Sequence, residues 1–164
     1  MTQEQYIKVG MADLNVTHLT GVLKTTGLGS CVGLTLFDAK ARIAGMAHVM
    51  LPDSEIAREG KFNIAKYADT AIPDMIGKMQ KMGAAVSRME AKMAGGAQMF
   101  AFGGNSDTMR IGPRNVESCK SMLKQYSIPL RGEDTGGSYG RTIEFNCETG
   151  LLLIRSVQHG VKEL

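Results

Sequence analysis

Cys31 and His48 are the two side chains in this sequence whose types and setting suit covalent chemistry. A thiol attacks a carbonyl carbon when an imidazole takes its proton, and the developing oxyanion needs N–H donors within reach. Cys31 ends the run Thr25-Thr26-Gly27-Leu28-Gly29-Ser30-Cys31, where a strand pattern meets a glycine-flanked turn and the next strand begins. Such a turn bares backbone N–H groups, here those around Gly29 and Ser30, as candidate oxyanion donors. Taken singly, Cys31 reads as a small buried hydrophobe and His48 as a satisfied histidine beside a core strand, so the chemistry rests on the two meeting.

Whether they meet is a question of strand register. If 31–38 and 42–51 form an antiparallel hairpin closed by a two- or four-residue loop around Ala39-Lys40, with paired residues summing to 79, Cys31 faces His48. Opposed side chains on one sheet face have Cβ atoms about 4.5–5.5 Å apart, close enough for a thiolate–imidazolium pair. A slip of one residue sends them to opposite faces. His18 has no thiol near it and His159 lies in a polar C-terminal stretch, so both read as surface residues.

The elements that must position this pair can be traced along the chain. Residues 6–11, 18–26, 31–37 and 42–51 carry β-branched or alternating apolar side chains and predict a meander of strands. Over 66–82, Ala68, Ala71, Ile72, Met75, Ile76, Met79 and Met82 recur at helical spacing, closed by Gly83, with Pro73 requiring either a later start near Thr70 or a bend. A strand over 88–93 precedes a second amphipathic helix over 113–126, with Val116, Cys119, Met122 and Leu123 on its buried stripe and Pro113 in its first turn. Short strands at 128–131, 141–146 and 151–157 close the chain, and the glycine-rich stretches 95–104 and 132–140 read as loops. The predicted class is α/β (α+β): a mixed, largely antiparallel β-sandwich with two amphipathic helices packed on it.

Composition narrows the function. At 164 residues the chain fits one globular domain spanning 1–164. With 19 basic and 16 acidic side chains, 5% aromatic residues and no Trp, it lacks the basic surface and stacking platforms of a nucleic-acid binder. No apolar run of membrane-spanning length and no signal-peptide pattern occurs, and three widely spaced cysteines suit a reducing compartment, so a cytoplasmic location without membrane insertion is expected. Asp107, Glu133 and Asp134 are too scattered for a metal site, and neither Gly95-Gly96 nor Gly136-Gly137 sits in a nucleotide-binding pattern, so no metal and no cofactor are expected. Arg114 and Arg141 suit either an acidic partner surface or internal loop carbonyls, and Met46 and Met50 either a plastic contact surface or sheet core.

Gly27-Leu28-Gly29-Ser30-Cys31-Val32, Gly45-Met46-Ala47-His48-Val49-Met50-Leu51-Pro52-Asp53-Ser54, Lys66-Tyr67-Ala68-Asp69-Thr70-Ala71, Gly95-Gly96-Ala97, Ile111-Gly112 with Arg114-Asn115, and Glu133-Asp134-Thr135-Gly136-Gly137 with Arg141 together resemble the CheD family of bacterial chemotaxis proteins. The resemblance spans nearly the whole chain in one order. It implies a cysteine amidohydrolase that converts glutamines in the cytoplasmic helices of methyl-accepting chemoreceptors to glutamates, with receptor methylesterase activity in some members. It also implies a fold related to cysteine deamidase toxins. Carried over by position, the nucleophile is Cys31, the base His48, and a threonine six residues before the cysteine completes the site; that offset lands on Thr25, with Thr26 beside it. The resemblance further implies pairing with a CheC-type chemotaxis phosphatase, which leaves a second reading: a non-catalytic adaptor that docks on receptors and on that phosphatase.

Overall fold

The structure is a computed structural model describing residues 5–54, 63–98 and 110–164. Its strands form two five-stranded sheets. One has the order β1-β3-β8-β9-β10, built from β1 (Gln5–Lys8), β3 (Gly21–Leu28), β8 (Arg141–Asn146), β9 (Leu151–Ser156) and β10 (Gly160–Glu163). The other has the order β2-β5-β4-β6-β7, built from β2 (Leu14–His18), β5 (Ile43–Val49), β4 (Val32–Asp38), β6 (Met89–Gly95) and β7 (Leu130–Thr135). The pairings are antiparallel except β1 with β3 and β6 with β7. The mixed α/β sandwich read from the sequence is the architecture found.

Two apolar layers explain the stacking. Leu23, Leu28, Ile143, Phe145, Leu152 and Ile154 of the first sheet meet Ala44, Met46 and Ala94 of the second. On its other face the second sheet gives Val32, Leu34, Leu36, Ala47 and Val49 to α1 (Ala68–Met82) and α2 (Ile111–Gln125). The second sheet is therefore covered on both faces, which is why every residue of β5 is buried and its sequence IAGMAHV shows no polar alternation. In the first sheet β8 alternates strictly between buried and half-buried positions, because among the described residues no helix covers its outer face.

Several local expectations need correction. The strand pattern over 18–26 is broken by a turn at Leu19-Thr20, with Leu19 at φ 59°, so β2 and β3 are separate strands in different sheets rather than successive runs of a meander. The α1 helix runs through Pro73 from Ala68 without waiting for Thr70; Pro73 forfeits one helix hydrogen bond, outweighed by burial of Ala68, Ala71, Ile72, Met75, Ile76 and Met79. Gly83 does close it, in the left-handed conformation at φ 116°. Part of 132–140 is strand β7, and the polar C-terminal stretch adds β10 to the sheet edge. Asp107 and the end of the 95–104 stretch lie outside the described residues.

Candidate active site

Between the end of β3 and the start of β4 the chain crosses from the first sheet to the second in three residues, Gly29, Ser30 and Cys31. Just before that crossing β3 carries a bulge: its register on β8 shifts by one residue between Thr25 and Leu28, with Gly27 at φ 72°. The extra residue ends regular pairing where the strand must leave its sheet. Thr25, on the near side of the bulge, is 1% exposed, whereas Thr26 faces solvent.

Thr25 Oγ1 and His48 Nδ1 lie 2.7 Å apart, a buried hydrogen bond between the two sheets. His48 is fully buried, and its Nε2 has no partner among the described residues. Of the two adjacent threonines, Thr25 is thus the one that reaches the imidazole.

The hairpin register differs from the expected one. The β4–β5 loop has four residues, 39–42, with Asp38 paired to Ile43, so Gly33 rather than Cys31 stands opposite His48. An even-numbered loop keeps Cys31 on the same sheet face as Gly33 and His48, one diagonal step away, which corresponds to roughly 7–8 Å between Cα positions. No hydrogen bond joins the sulfur to the imidazole at that offset. Resting sites often show such long separations that tighten only with substrate. Cys31 keeps 7% of its surface and packs in the inter-sheet layer.

What holds the crossing in shape is a set of bonds from distant parts of the chain. The Gly29 carbonyl accepts from the Ala97 N–H at 2.9 Å, the Ser30 carbonyl from Asn115 Nδ2 at 2.9 Å, and the Cys31 carbonyl from the Gly96 N–H at 2.9 Å. Three successive carbonyls are therefore turned into the protein. Of the N–H groups, that of Gly29 donates back to the Gly27 carbonyl at 3.1 Å and is already engaged, while those of Ser30 and Cys31 find no acceptor among the described residues. The N–H groups that meet no carbonyl among the described residues are those of Ser30 and Cys31, not that of Gly29.

These clamps escaped the residue-by-residue reading, although Gly95-Gly96-Ala97 and Asn115 stood in the family-like segments. The legible signal was the glycine doublet. Gly95 adopts φ 107°, and a Cβ there would stand 2.3 Å from the Cys31 carbonyl oxygen. A Cβ at Gly112 would stand 2.2 Å from the Ala97 carbonyl oxygen, so α2 also packs backbone to backbone on this loop.

Burial sets the resting protonation of the pair. It pushes the Cys31 thiol above its ordinary value, partly opposed by Cys31's own backbone N–H. It also holds the His48 imidazole below its ordinary value, partly opposed by the charge of Asp13. Both shifts favour a neutral thiol beside a neutral imidazole over the thiolate–imidazolium pair that the sequence geometry suggests.

The remaining candidates separate clearly. Arg141 is internal: 3% exposed, its Nε donates to Asp134 at 3.2 Å, its Nη1 donates to the Gly95 carbonyl at 3.4 Å, and its guanidinium lies 4.2 Å from the Tyr139 ring centre. Met46 is sheet core, and Met50 packs half-buried against the inter-sheet layer. Cys119 and Cys147 are core residues; burial pushes them up to about 12 and about 11. His18 and His159 are exposed, His159 stacking on Tyr139 at 4.0 Å. A cavity of about 690 Å³ borders the bulge at Gly27 and is lined also by Tyr139, Arg141 and Arg155. Among the described residues no three His, Cys, Asp or Glu side chains gather closely enough to hold a metal ion, and no helix is long and apolar enough to cross a membrane.

Comparison with known proteins decides the family. A family model described as CheD chemotactic sensory transduction matches residues 50–156. The chemoreceptor glutamine deamidase CheD of Halalkalibacterium halodurans is 56% identical over 158 residues, covering 96% of this chain and 98% of the relative. The chain belongs to the CheD family. The CheD protein of the same name from Bacillus subtilis is 46% identical, covering 99% of this chain and 98% of its own length. A probable chemoreceptor glutamine deamidase CheD from Geobacillus kaustophilus is 48% identical over the whole of both chains. The matched CheD segment begins after His48 but contains the Gly95–Ala97 and Asn115 clamps; the full-length CheD relatives extend the similarity across Thr25, Cys31 and His48.

Proposed function

We propose that this chain is a cofactor-free protein-glutamine deamidase acting on chemoreceptor helices, with Cys31 as nucleophile, His48 as base and Thr25 as the group that orients the base. The observation that carries the reading is the buried Thr25–His48 hydrogen bond on the sheet face that Cys31 shares, beside a crossing whose carbonyls all point inward. The substrate class comes from the relatives, which are named for deamidating chemoreceptor glutamines.

The bond between Thr25 and His48 admits either sense. With His48 Nδ1–H donating to Thr25 Oγ1, the unpartnered Nε2 carries the lone pair a base needs. As Cys31 Sγ bonds to the glutamine Cδ, its proton passes to Nε2 during the attack, in keeping with burial favouring the neutral form of both groups. The carbonyl oxygen becomes an oxyanion facing the free N–H groups of Ser30 and Cys31. His48 returns the proton to the amide nitrogen, the C–N bond breaks and ammonia leaves, giving a γ-glutamyl thioester. Water then gives a proton to His48 and its oxygen to the acyl carbon; the C–S bond breaks, the proton returns to sulfur and a glutamate remains. A methyl ester enters the same cycle with methanol leaving, so receptor methylesterase activity belongs to this reading.

Incubation of receptor cytoplasmic fragments with the protein, read by peptide mass and ammonia release, tests it. Conversion of glutamine to glutamate is expected with the wild type and none with Cys31→Ala; binding without any mass change in the wild type would defeat it. The reading treats 1–164 as one catalytic unit working in the cytoplasm without metal, and it carries the expected pairing with a CheC-type phosphatase, which co-purification of the two proteins tests.

A further inference from the structure

Asn115 lies on α2, remote in sequence from Cys31 and His48, yet its side-chain amide donates to the carbonyls of Ser30 and Met50, each at 2.9 Å. It is fully buried, and its Oδ1 has no partner among the described residues. A buried unpaired acceptor is costly, and an apolar side chain of similar size would avoid the cost. Turning the amide over would set Oδ1 against two carbonyl oxygens, so the network fixes its sense.

The two carbonyls matter by position. That of Ser30 belongs to the same peptide unit as the Cys31 N–H, and in a trans peptide the two groups point in opposite directions. Holding the Ser30 carbonyl against α2 therefore turns the Cys31 N–H away from α2, and a hydrogen bond at the carbonyl end polarises the unit so that its N–H donates more strongly. The Met50 carbonyl lies two residues past His48 and just beyond the end of β5. One side chain thus ties the peptide of the nucleophile to the strand of the base.

We propose that Asn115 is a positioning residue for the reaction: by holding the Ser30 carbonyl it aims the Cys31 N–H at the developing oxyanion. The inference rests on the deamidase reading, and its test separates the two. The full chain is made as wild type, Asn115→Ala, Asn115→Asp and Ser118→Ala. Ser118 Oγ donates from the same helix to the Pro52 carbonyl at 2.7 Å and does not touch the Ser30–Cys31 peptide, so it controls for loosening of α2.

Each protein is read for kcat and KM of ammonia release, for alkylation of Cys31 by iodoacetamide, and for affinity toward a peptide carrying a glutamine-semialdehyde side chain. Cys31 Sγ adds to that aldehyde carbon while its proton passes to His48, leaving an oxygen that needs the same N–H; alkylation at a saturated carbon forms no oxyanion. The Asn115 variants are expected to lose roughly 10- to 100-fold in kcat and in aldehyde affinity, approaching the loss of an oxyanion donor. Their KM and alkylation rate should stay within about threefold of wild type, and Ser118→Ala should keep both kcat and aldehyde affinity. Unchanged aldehyde affinity in the Asn115 variants, alkylation falling in step with kcat, or an equal loss in Ser118→Ala overturns the proposal. A wild type that binds the aldehyde in an Asn115-dependent way but releases no ammonia would sink the deamidase reading and leave the positioning role standing.

Discussion

Thr25 and His48 join the two sheets of the sandwich through a single hydrogen bond, 2.7 Å from Oγ1 to Nδ1, with both residues out of solvent. The hydroxyl comes from β3, immediately before its bulge, and the imidazole from β5, the strand covered on both faces. Because the ring is fully buried, its orientation and tautomer depend on this one partner at Nδ1, and what remains at Nε2 is the free edge.

Removing that partner should therefore cost activity more than fold. Thr25→Val keeps the shape and leaves Nδ1 unpaired, at about 1–3 kcal/mol of stability. Its kcat is expected to fall roughly 10- to 100-fold as the imidazole loses its productive orientation. Thr25→Ser should retain most activity and Thr26→Val all of it, since Thr26 faces solvent. Steady-state ammonia release with the three variants checks this; an active Thr25→Val would remove the hydroxyl from the mechanism.

The pH dependence follows from burial. His48 is held below its ordinary value of 6.5, so neutral base persists into mild acid, and the acid limb of kcat/KM should fall below that value rather than at it. The same shift means that the unfolded chain binds a proton more readily than the folded one, so stability is lost as pH drops through the unfolded value. Cys31 is raised above its ordinary 9.0, so its alkylation should still be climbing at that pH. Rate profiles for both reactions test the signs, and an alkylation midpoint near neutrality would mean a preformed ion pair.

Cysteine labelling should also discriminate among the three thiols. Cys31 keeps 7% of its surface, while Cys119 and Cys147 are at 0% and 1% and burial pushes them up to about 12 and about 11. Native protein treated briefly with iodoacetamide is expected to carry one adduct, mapped by peptide mass to Cys31; first modification at either other site would contradict the packing.

The glycine at 95 offers a backbone test. Gly95→Ala forces a side chain to φ 107° and sets its Cβ 2.3 Å from the Cys31 carbonyl oxygen. The strain alone is on the order of 1–3 kcal/mol, and the clash must displace the crossing. Thermal melts should show the destabilisation, and activity should fall further than the loss of folded protein explains. Gly136→Ala, also at positive φ but with nothing within 4 Å of its Cβ, supplies the comparison that carries strain without the clash.

The sequence by itself determined whatever short-range patterning controls. Helical spacing marked both helices and the stop at Gly83, strand runs marked β4, β5, β8 and β9, and the glycine turn marked Cys31, because these signals depend on neighbours a few residues away. It also made a shared sheet face for Cys31 and His48 conditional on a hairpin loop of even length, a condition the 39–42 loop meets. Tertiary structure decided the rest. The hairpin register closed two residues away from the expected pairing, with Asp38 opposite Ile43 and Gly33 opposite His48. Only the stacking of β3 on β5 could choose Thr25 over Thr26, since a hydroxyl finds its partner across sheets. The carbonyl clamps from Gly96, Ala97 and Asn115 arrive from more than 60 residues beyond the crossing they hold. Burial, a property no residue has until the layers close around it, pushes the Cys31 thiol up and the His48 imidazole down.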